Sequence, residues 1–372
     1  MKHLVLAGGG HAHIEVLRRL GAQRAFGQKL TVINPDRHSP YSGMLPGLIA
    51  GHYTWEQCHV DLGRLCSRAG AELVLAQVTS VDPEIRTIAL DNGCTLHWDL
   101  LSLNTGSTPD LAAMAGANEY VVPIKPMSGF LRAWNACLQS AREGPGGPAR
   151  FTVVGGGAGG VEVVLAIHHR LRKEGLGQTA IALVTNELLP TYPRRVRHVV
   201  MHALEAARID LLEGRRAVEV KPGTLHFASG PALDTTFTVW ITGAAAPSWL
   251  ARSGLATDAR GFLMVDGSLR SVSHPWVLGA GDVASFATRP VPKAGVYAVR
   301  QGPVLAENLM RLLRDESPIE YKPQRRFLSL LSLGEPRAVA SFSNWAAEGA
   351  WAWKLKDRID RAFMRRYGRK DE

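Results

Sequence analysis

Two glycine turns carry the chemistry this sequence offers. The first is Gly8-Gly9-Gly10-His11-Ala12-His13, and the second is Gly155-Gly156-Gly157-Ala158-Gly159-Gly160. Each follows a short apolar run and precedes apolar residues at helical spacing, so each reads as strand, turn, helix. In such a turn the first glycine permits a tight reversal and the next lets a pyrophosphate approach the backbone. The unpaired N–H groups at the helix start then face the phosphates. Gly8 and Gly10 meet these needs in the first turn, while His13 stands where a third Gly or Ala is usual, so helix and strand must separate slightly there. The second turn is the stronger motif, because Gly155, Gly157 and Gly160 fill all three positions.

Other residues fit around these turns. The apolar strand Trp276-Val277-Leu278 delivers Gly279-Ala280-Gly281-Asp282-Val283, where an Asp can bind a ribityl hydroxyl and helix-start amides behind it can bind phosphate. Leu100 to Leu103 end at Asn104-Thr105-Gly106-Ser107. The strand Leu30-Thr31-Val32-Ile33 puts Asn34 where a ribose-binding acid normally sits, which leaves only a neutral hydrogen bond. Glu162 lies one turn into the second helix. Its partner strand, Ile181 to Val184, ends at Thr185 and Asn186. NAD preference is expected to show there as Asp or Glu, and NADP preference as nearby Arg. Arg194, Arg195 and Arg197 lie a turn or two on, so NADH versus NADPH stays open.

The four cysteines, Cys58, Cys66, Cys94 and Cys137, form no Cys-x-x-Cys pair. That argues against a dithiol centre and a thiolate zinc site, and for reduced thiols. His11, His13, His52 and His59 have a spacing that fits no common ligand set, so no metal is expected.

At 372 residues, two or three domains are expected. The 46% hydrophobic and 20% charged composition is that of a soluble globular protein. No apolar run reaches the roughly 20 residues that span a bilayer, and the N-terminus lacks the pattern of a secretory signal. A cytoplasmic protein is expected. The net charge of +10 asks for anionic partners. With no nucleic-acid motif in view, dinucleotide phosphates and a lipid surface are the better candidates. Residues 319 to 342 read as short strands. From Trp345 onward the pattern turns helical, placing Trp351, Leu355, Ile359, Ala362, Phe363 and Tyr367 on one face. Lys354, Lys356, Arg358, Arg361, Arg365, Arg366, Arg369 and Lys370 lie between them. Such a basic amphipathic helix suits an anchor on anionic lipid, or a helix packed on protein with a solvated basic face.

Taken in order, the first glycine turn, Thr105-Gly106-Ser107, the second glycine turn, a strand Ile241-Thr242-Gly243-Ala244 and the Gly279 to Asp282 turn resemble the pyridine nucleotide-disulfide oxidoreductase superfamily over roughly residues 1 to 310. The resemblance implies an α/β chain of two Rossmann-like domains, the second inserted in the first. The FAD-binding domain would comprise residues 1–115 and 248–316, and the NAD(P)H-binding domain residues 116–247. A small C-terminal α+β region, 317–372, would end in the basic helix. By the same resemblance, FAD belongs to Gly8, Gly10, His11, Ala12, Asn34, Pro35, Val78, Thr105, Gly106, Gly281, Asp282, Val283, Lys293 and Ala294. Tyr41, Ser42, Gly43 and Met44 line its flavin. The nicotinamide dinucleotide, NADH or NADPH, belongs to Gly155, Gly157 and Gly160, with Glu162 near the nicotinamide–flavin contact.

Pro292-Lys293-Ala294-Gly295 resembles a segment of quinone-reducing members, which implies a Lys293 cation that stabilises the reduced flavin. Pro40-Tyr41-Ser42-Gly43-Met44-Leu45-Pro46-Gly47 and Trp353 to Asp360 resemble a bacterial subgroup similar to type II NADH dehydrogenases. Some members of that subgroup look like the N-terminal half of fusions with selenide, water dikinase. The implied activity is hydride transfer from NAD(P)H to flavin and electron delivery to an acceptor, with quinone leading. The alternative is a flavin-binding accessory or sensing module that partners selenophosphate synthase and turns over little itself. A homodimer and a peripheral position on the inner face of the membrane are further implications. The lack of a redox cysteine pair, and of any cysteine after Cys137, argues against disulfide and sulfide chemistry.

Overall fold

The structure, a computed structural model, describes residues 1–22, 27–111, 114–143 and 150–368. Two five-stranded parallel sheets organise it. The first runs Val277–Gly279, Leu100–Leu103, His3–Ala7, Lys29–Ile33, Glu72–Val74. The second runs Val122–Pro123, Phe237–Trp240, Arg150–Val154, Ala180–Thr185, Asp210–Glu213. Both are Rossmann-like. Central strands such as Leu100–Leu103 and Phe237–Trp240 are buried along their whole length, the pattern of a sheet covered on both faces.

The central strand of each sheet ends in a glycine turn and continues into a helix, His11–Gly21 in the first case and Ala158–Lys173 in the second. From each central strand the chain adds strands outward on one side and then crosses to the other, so each turn opens at a topological switch point, where doubly wound sheets bind ligands. Helix His11–Gly21 packs closely on Gly295–Leu313, and a methyl at Gly302 would stand 2.8 Å from the Glu15 Cβ. The second sheet's strands all lie between Val122 and Trp240, while the first sheet's strands flank them in sequence.

Three local expectations change. The second-domain strand stops at Trp240, so Ile241-Thr242-Gly243-Ala244 is the loop that leaves it. The turn at Asp282 leads into the short strand Ala284–Phe286 rather than a helix, and the helix behind it starts at Gly295. Trp345–Gly349 is a strand that pairs with Ala338–Phe342, so the C-terminal helix begins only at Ala350.

The C-terminal region ties the two domains together. Leu331, Leu333 and Val339 join the second domain's core, whereas Met364 and Tyr367 at the end of helix Ala350–Tyr367 join the first. Tyr367 donates its hydroxyl to Glu15 at 2.9 Å, and Arg18 and Arg19 reach the same carboxylate. Burial pushes Glu15 up, but these three donors bring it down to about 2.

The buried face of this helix differs from the expected stripe. Ala352, Asp360, Met364 and Tyr367 face inward together with most of Lys356, whereas Trp351 and Ile359 are 47% and 46% exposed. The expected face therefore splits, with Tyr367 turned to the core and Trp351, Ile359 and Ala362 turned to solvent. Arg369 and Lys370 lie outside the described residues. No described helix is long and apolar enough to cross a membrane.

Candidate cofactor cradles and the charged cluster beside them

The first glycine turn opens onto a cavity of about 500 Å³. Its walls include Gly8, Gly10, His11, Asn34, Pro35, Ser42, Val78, Thr105, Gly106, Gly281, Asp282 and Lys293, a volume and composition suited to an organic cofactor. Gly8 sits at φ +97°, which only glycine adopts without strain. A methyl at Gly10 would fall on the Asn104 side chain. Two polar atoms in the walls, His11 Nε2 and Thr105 Oγ1, are shut from solvent without a hydrogen-bond partner. The glycines leave the backbone of the turn open to a closely approaching phosphate. The residues present therefore fit a pyrophosphate-bearing flavin nucleotide.

Asn104 was not singled out in the sequence, yet it organises this cradle. Its Oδ1 accepts from the amides of Ala12 and His13 at 3.1 and 3.2 Å, and its Nδ2 donates to the Ala280 carbonyl at 2.6 Å. Two helix-start amides expected to meet phosphate are thus already engaged, and Ala12 lies behind the cavity wall. Asn34 is engaged as well: Oδ1 accepts from Gly9 N at 2.8 Å and Nδ2 donates to Asp36 O at 2.6 Å, so it shapes the turn. His13 fills the gap left by the missing third glycine, with Nδ1 2.6 Å from Gly8 O and Nε2 2.8 Å from Ser102 Oγ.

Asp282 lies at the cavity's far end, 2.9 Å from Lys125 Nζ and 3.3 Å from Ser107 Oγ. Burial pushes its carboxyl up, but Lys125 above all holds it below its ordinary value, so it is ionised and ready to accept hydroxyl donors. Lys293 Nζ donates to the carbonyls of Asp282 and Ala284 at 2.7 and 3.0 Å and lies 3.5 Å from the Phe262 ring centroid. Burial lowers it to about 8, against the pull of Asp282 and Asp258. Its ammonium therefore clamps the Asp282 turn instead of projecting freely into the cavity. Gly281 N donates to Gln301 Oε1 at 2.6 Å, Val283 is buried, and Ala294 caps helix Gly295–Leu313.

The second cradle has the same build. Gly155 sits at φ +136°, and a methyl at Gly160 would land on the Gly155 carbonyl oxygen, so helix and strand touch there. A methyl at Gly157 would meet open space, leaving that face free for an approaching phosphate. At the end of Ala180–Thr185, Glu187 is exposed and its carbonyl accepts from Thr185 Oγ1 at 2.8 Å. Arg197 is bound by both oxygens of Glu213 at 2.8 Å, which withdraws it from any 2′-phosphate.

Between the domains lies a buried charged cluster. Lys356, from the C-terminal helix, donates to Gly43 O at 2.6 Å and to Asp360 Oδ2 at 2.7 Å, with side chains 12% and 6% exposed. Glu162, from the second domain, accepts from Ser332 N at 2.9 Å. Burial raises its carboxyl, and Lys356 opposes that rise. Tyr41 hydrogen-bonds Asp360 and stacks on Phe363, with ring centroids 4.1 Å apart. Gly43 and Met44 are thus committed to packing, with Met44 wholly buried, while neighbouring Ser42 faces the cavity.

The model of the pyridine nucleotide-disulphide oxidoreductase family matches residues 2–302. The chain belongs to that family. Among its relatives, an NADH dehydrogenase-like protein of Mycobacterium tuberculosis is 29% identical over 240 residues, covering 61% of this chain and 59% of that protein. The match therefore spans less than two thirds of that relative's length. A type II NADH:quinone oxidoreductase of Staphylococcus epidermidis is 23% identical over 381 residues, covering 96% of this chain and 94% of the relative. Among solved structures, the sulfide:quinone oxidoreductase of Aquifex aeolicus superposes with a TM-score of 0.80 at 20% identity, covering 99% of this chain and 92% of that one.

As a member of the pyridine nucleotide-disulphide oxidoreductase family, the chain uses FAD and a nicotinamide dinucleotide. Asn104, Lys125, Lys356 and Glu187 are the functional candidates that sequence reasoning missed. Asn104 stood inside the Asn-Thr-Gly-Ser run and carried a usable signal. Glu187 also carried one, lying a single residue past the strand end where an acid is expected, whereas Lys125 and Lys356 become visible only when distant segments meet.

Proposed function

We propose that the chain is an NADH dehydrogenase, with FAD in the first cradle, NADH in the second and a membrane quinone as acceptor. The observation that carries this reading is the meeting of both domains at one cluster. Glu162, which follows the second glycine turn, stands beside Lys356, which holds Gly43, the neighbour of Ser42 on the wall of the first cradle. The names of the Mycobacterium and Staphylococcus relatives support it. Bound FAD supplies the two-electron relay between donor and acceptor. The glycine turns orient the two nucleotides. Asp282, ionised beside Lys125, accepts from the ribityl chain, and Lys293 keeps the Asp282 turn in shape. Glu162, its carboxyl raised by burial and pulled back by Lys356, stands where it can exchange a proton during the acceptor's reduction. Anaerobic mixing with NADH is expected to bleach the flavin absorbance band within a single turnover. A band that persists with NADH and with NADPH rules out the dehydrogenase reading.

Glu187 supports NADH as the donor. It stands just past the strand end, where an acid bonds the ribose 2′-hydroxyl and repels a 2′-phosphate. Glu187→Arg is expected to lower kcat/KM for NADH by about tenfold, the worth of one hydrogen bond to a charged group, and to raise that for NADPH. Unchanged ratios would assign the choice elsewhere.

Outward-facing Trp351 and Ile359, flanked by exposed Lys354, Arg358, Arg365 and Arg366, suit an anionic lipid surface. The chain is expected to sediment with phosphatidylglycerol vesicles, to ignore phosphatidylcholine vesicles, and to be released by salt. Ile359→Glu should abolish sedimentation; binding indifferent to that change and to salt would refute a lipid face.

A further inference from the structure

Arg18, Arg142, Arg170, Arg197, Arg311 and Arg361 each reach a carboxylate at 2.6 to 2.8 Å. Five exposed cations that the fold gathers on one face do not. Arg289, Arg300, Lys322, Arg325 and Arg326 form no ion pair among the described residues. Arg289 donates to Pro323 O at 3.2 Å, next to Lys322. Buried Tyr321 lies within electrostatic reach of both Arg300 and Arg289. Phe327 directly follows Arg325 and Arg326, and its ring meets that of Tyr297 with centroids 5.7 Å apart, one helical turn before Arg300. Glu320, the nearest acid in sequence, lies against Gly267 and leaves the cations unmatched.

The backbone that carries them is irregular but firmly held. Buried Asn308 bonds Ile319 twice, donating to its carbonyl at 2.9 Å and accepting from its amide at 2.7 Å, and Tyr321 N donates to Gly267 O at 2.8 Å. Ile319 and Leu328, each 40% exposed, add apolar area beside the charges. The patch borders the loop of Val291, Pro292 and Lys293, whose lysine reaches the first cavity.

We propose that these five cations form a docking surface for the acidic face of another protein. Four of the five are arginines, whose planar fork matches a carboxylate bidentately. Arginines beside exposed aliphatic side chains, on a backbone already fixed, are the composition of a protein interface and lower the cost of ordering it. A lipid surface is the poorer match here. The segment is not an amphipathic helix and exposes no tryptophan, whereas the terminal helix with Trp351 and Ile359 has both features. The inference goes beyond the dehydrogenase reading and does not depend on it.

The test uses the full FAD-loaded chain and a short fluorescein-labelled poly-L-glutamate peptide, read by fluorescence anisotropy. The wild type is expected to bind at low salt and to release the peptide as salt rises through about 0.1 M, where charges are screened over about 10 Å. Arg325→Glu/Arg326→Glu should weaken binding by about tenfold, because two attractions become repulsions. Arg172→Glu/Lys173→Glu makes the same change of charge on exposed residues of the second domain and should stay within about threefold of the wild type. Sedimentation of the Arg325→Glu/Arg326→Glu variant with phosphatidylglycerol vesicles should equal that of the wild type. Should that variant not fold, Arg300→Glu/Lys322→Glu is read in the same way. Equal peptide affinity in the patch variant and the wild type, equal losses in the two double variants, or loss of vesicle binding by the patch variant would each overturn the proposal. The last result would assign the patch to lipid.

Discussion

Gly160→Ala is expected to stop reduction by NADH while FAD stays bound. The added methyl has no free volume to enter, because it falls on the Gly155 carbonyl oxygen, a backbone atom that cannot rotate away. Strand Arg150–Val154 and helix Ala158–Lys173 must part, and the phosphate-binding amides move with the helix. A displacement of about 1 Å in a hydride donor costs on the order of a hundredfold in rate, so flavin bleaching should slow by at least that factor. The first cradle shares no backbone with this turn, so the flavin content should match the wild type. Gly157→Ala offers a contrast. Its methyl points into open space, so it should obstruct the dinucleotide without lowering the melting temperature, whereas Gly160→Ala lowers both. Wild-type bleaching in Gly160→Ala would mean that NADH does not use this cradle.

Lys356→Met is the second large effect, and it concerns stability. The change leaves Asp360 buried without its cation, leaves Gly43 O without its donor, and removes the positive charge beside Glu162. Removing one partner of a buried ion pair costs about 3–5 kcal/mol, and a urea or thermal melt reads this directly. The sign of the pH effect follows from the direction of the carboxyl shifts. Asp360 and Glu162 both lie above their ordinary values, chiefly through burial, and Lys356 pulls each of them down. Without Lys356 they rise further. A carboxyl whose folded value is raised supports folding while protonated and loses that support as pH climbs through the folded value. The defect should therefore be smaller at pH 5 than at pH 8. Asp360→Asn added to Lys356→Met should recover part of the loss. A single variant as stable as the wild type would show that the pair contributes nothing.

Much of the fold could be read in the chain because glycine turns and fully apolar strands are short-range signals. Gly8, Gly155 and Gly160 are required by positive φ or close backbone approach, and such requirements show in the residue type itself. What escaped the sequence depends on long-range meeting. Asn34 looked like a ribose ligand, but its side chain is absorbed by Gly9 and Asp36. Lys293 carried the right charge in the right segment, yet carbonyls eleven and nine residues back claim its ammonium. In the terminal helix, periodicity revealed an amphipathic character without revealing which side the protein covers. The Lys356–Asp360 pair takes the inner position that spacing alone would give to Ile359. A hydrophobic stripe predicts burial only when nothing polar finds a better partner inside, and here Gly43, Glu162 and Tyr41 supply such partners.

The interleaving of the two sheets sets an order for biosynthesis. All strands of the second sheet are translated without interruption from Val122 to Trp240, but the first sheet lacks an edge strand until Val277–Gly279 emerges, and Asp282 follows it. On a ribosome that adds about 5–20 residues each second, the later-starting half is complete first. Under the proposed assignment of the two cradles, the nicotinamide site is therefore built before the flavin site. Completion of the first cradle consequently waits for Val277 to Asp282, and helix Ala350–Tyr367 then docks on the much earlier helix His11–Gly21 through Tyr367 and Glu15.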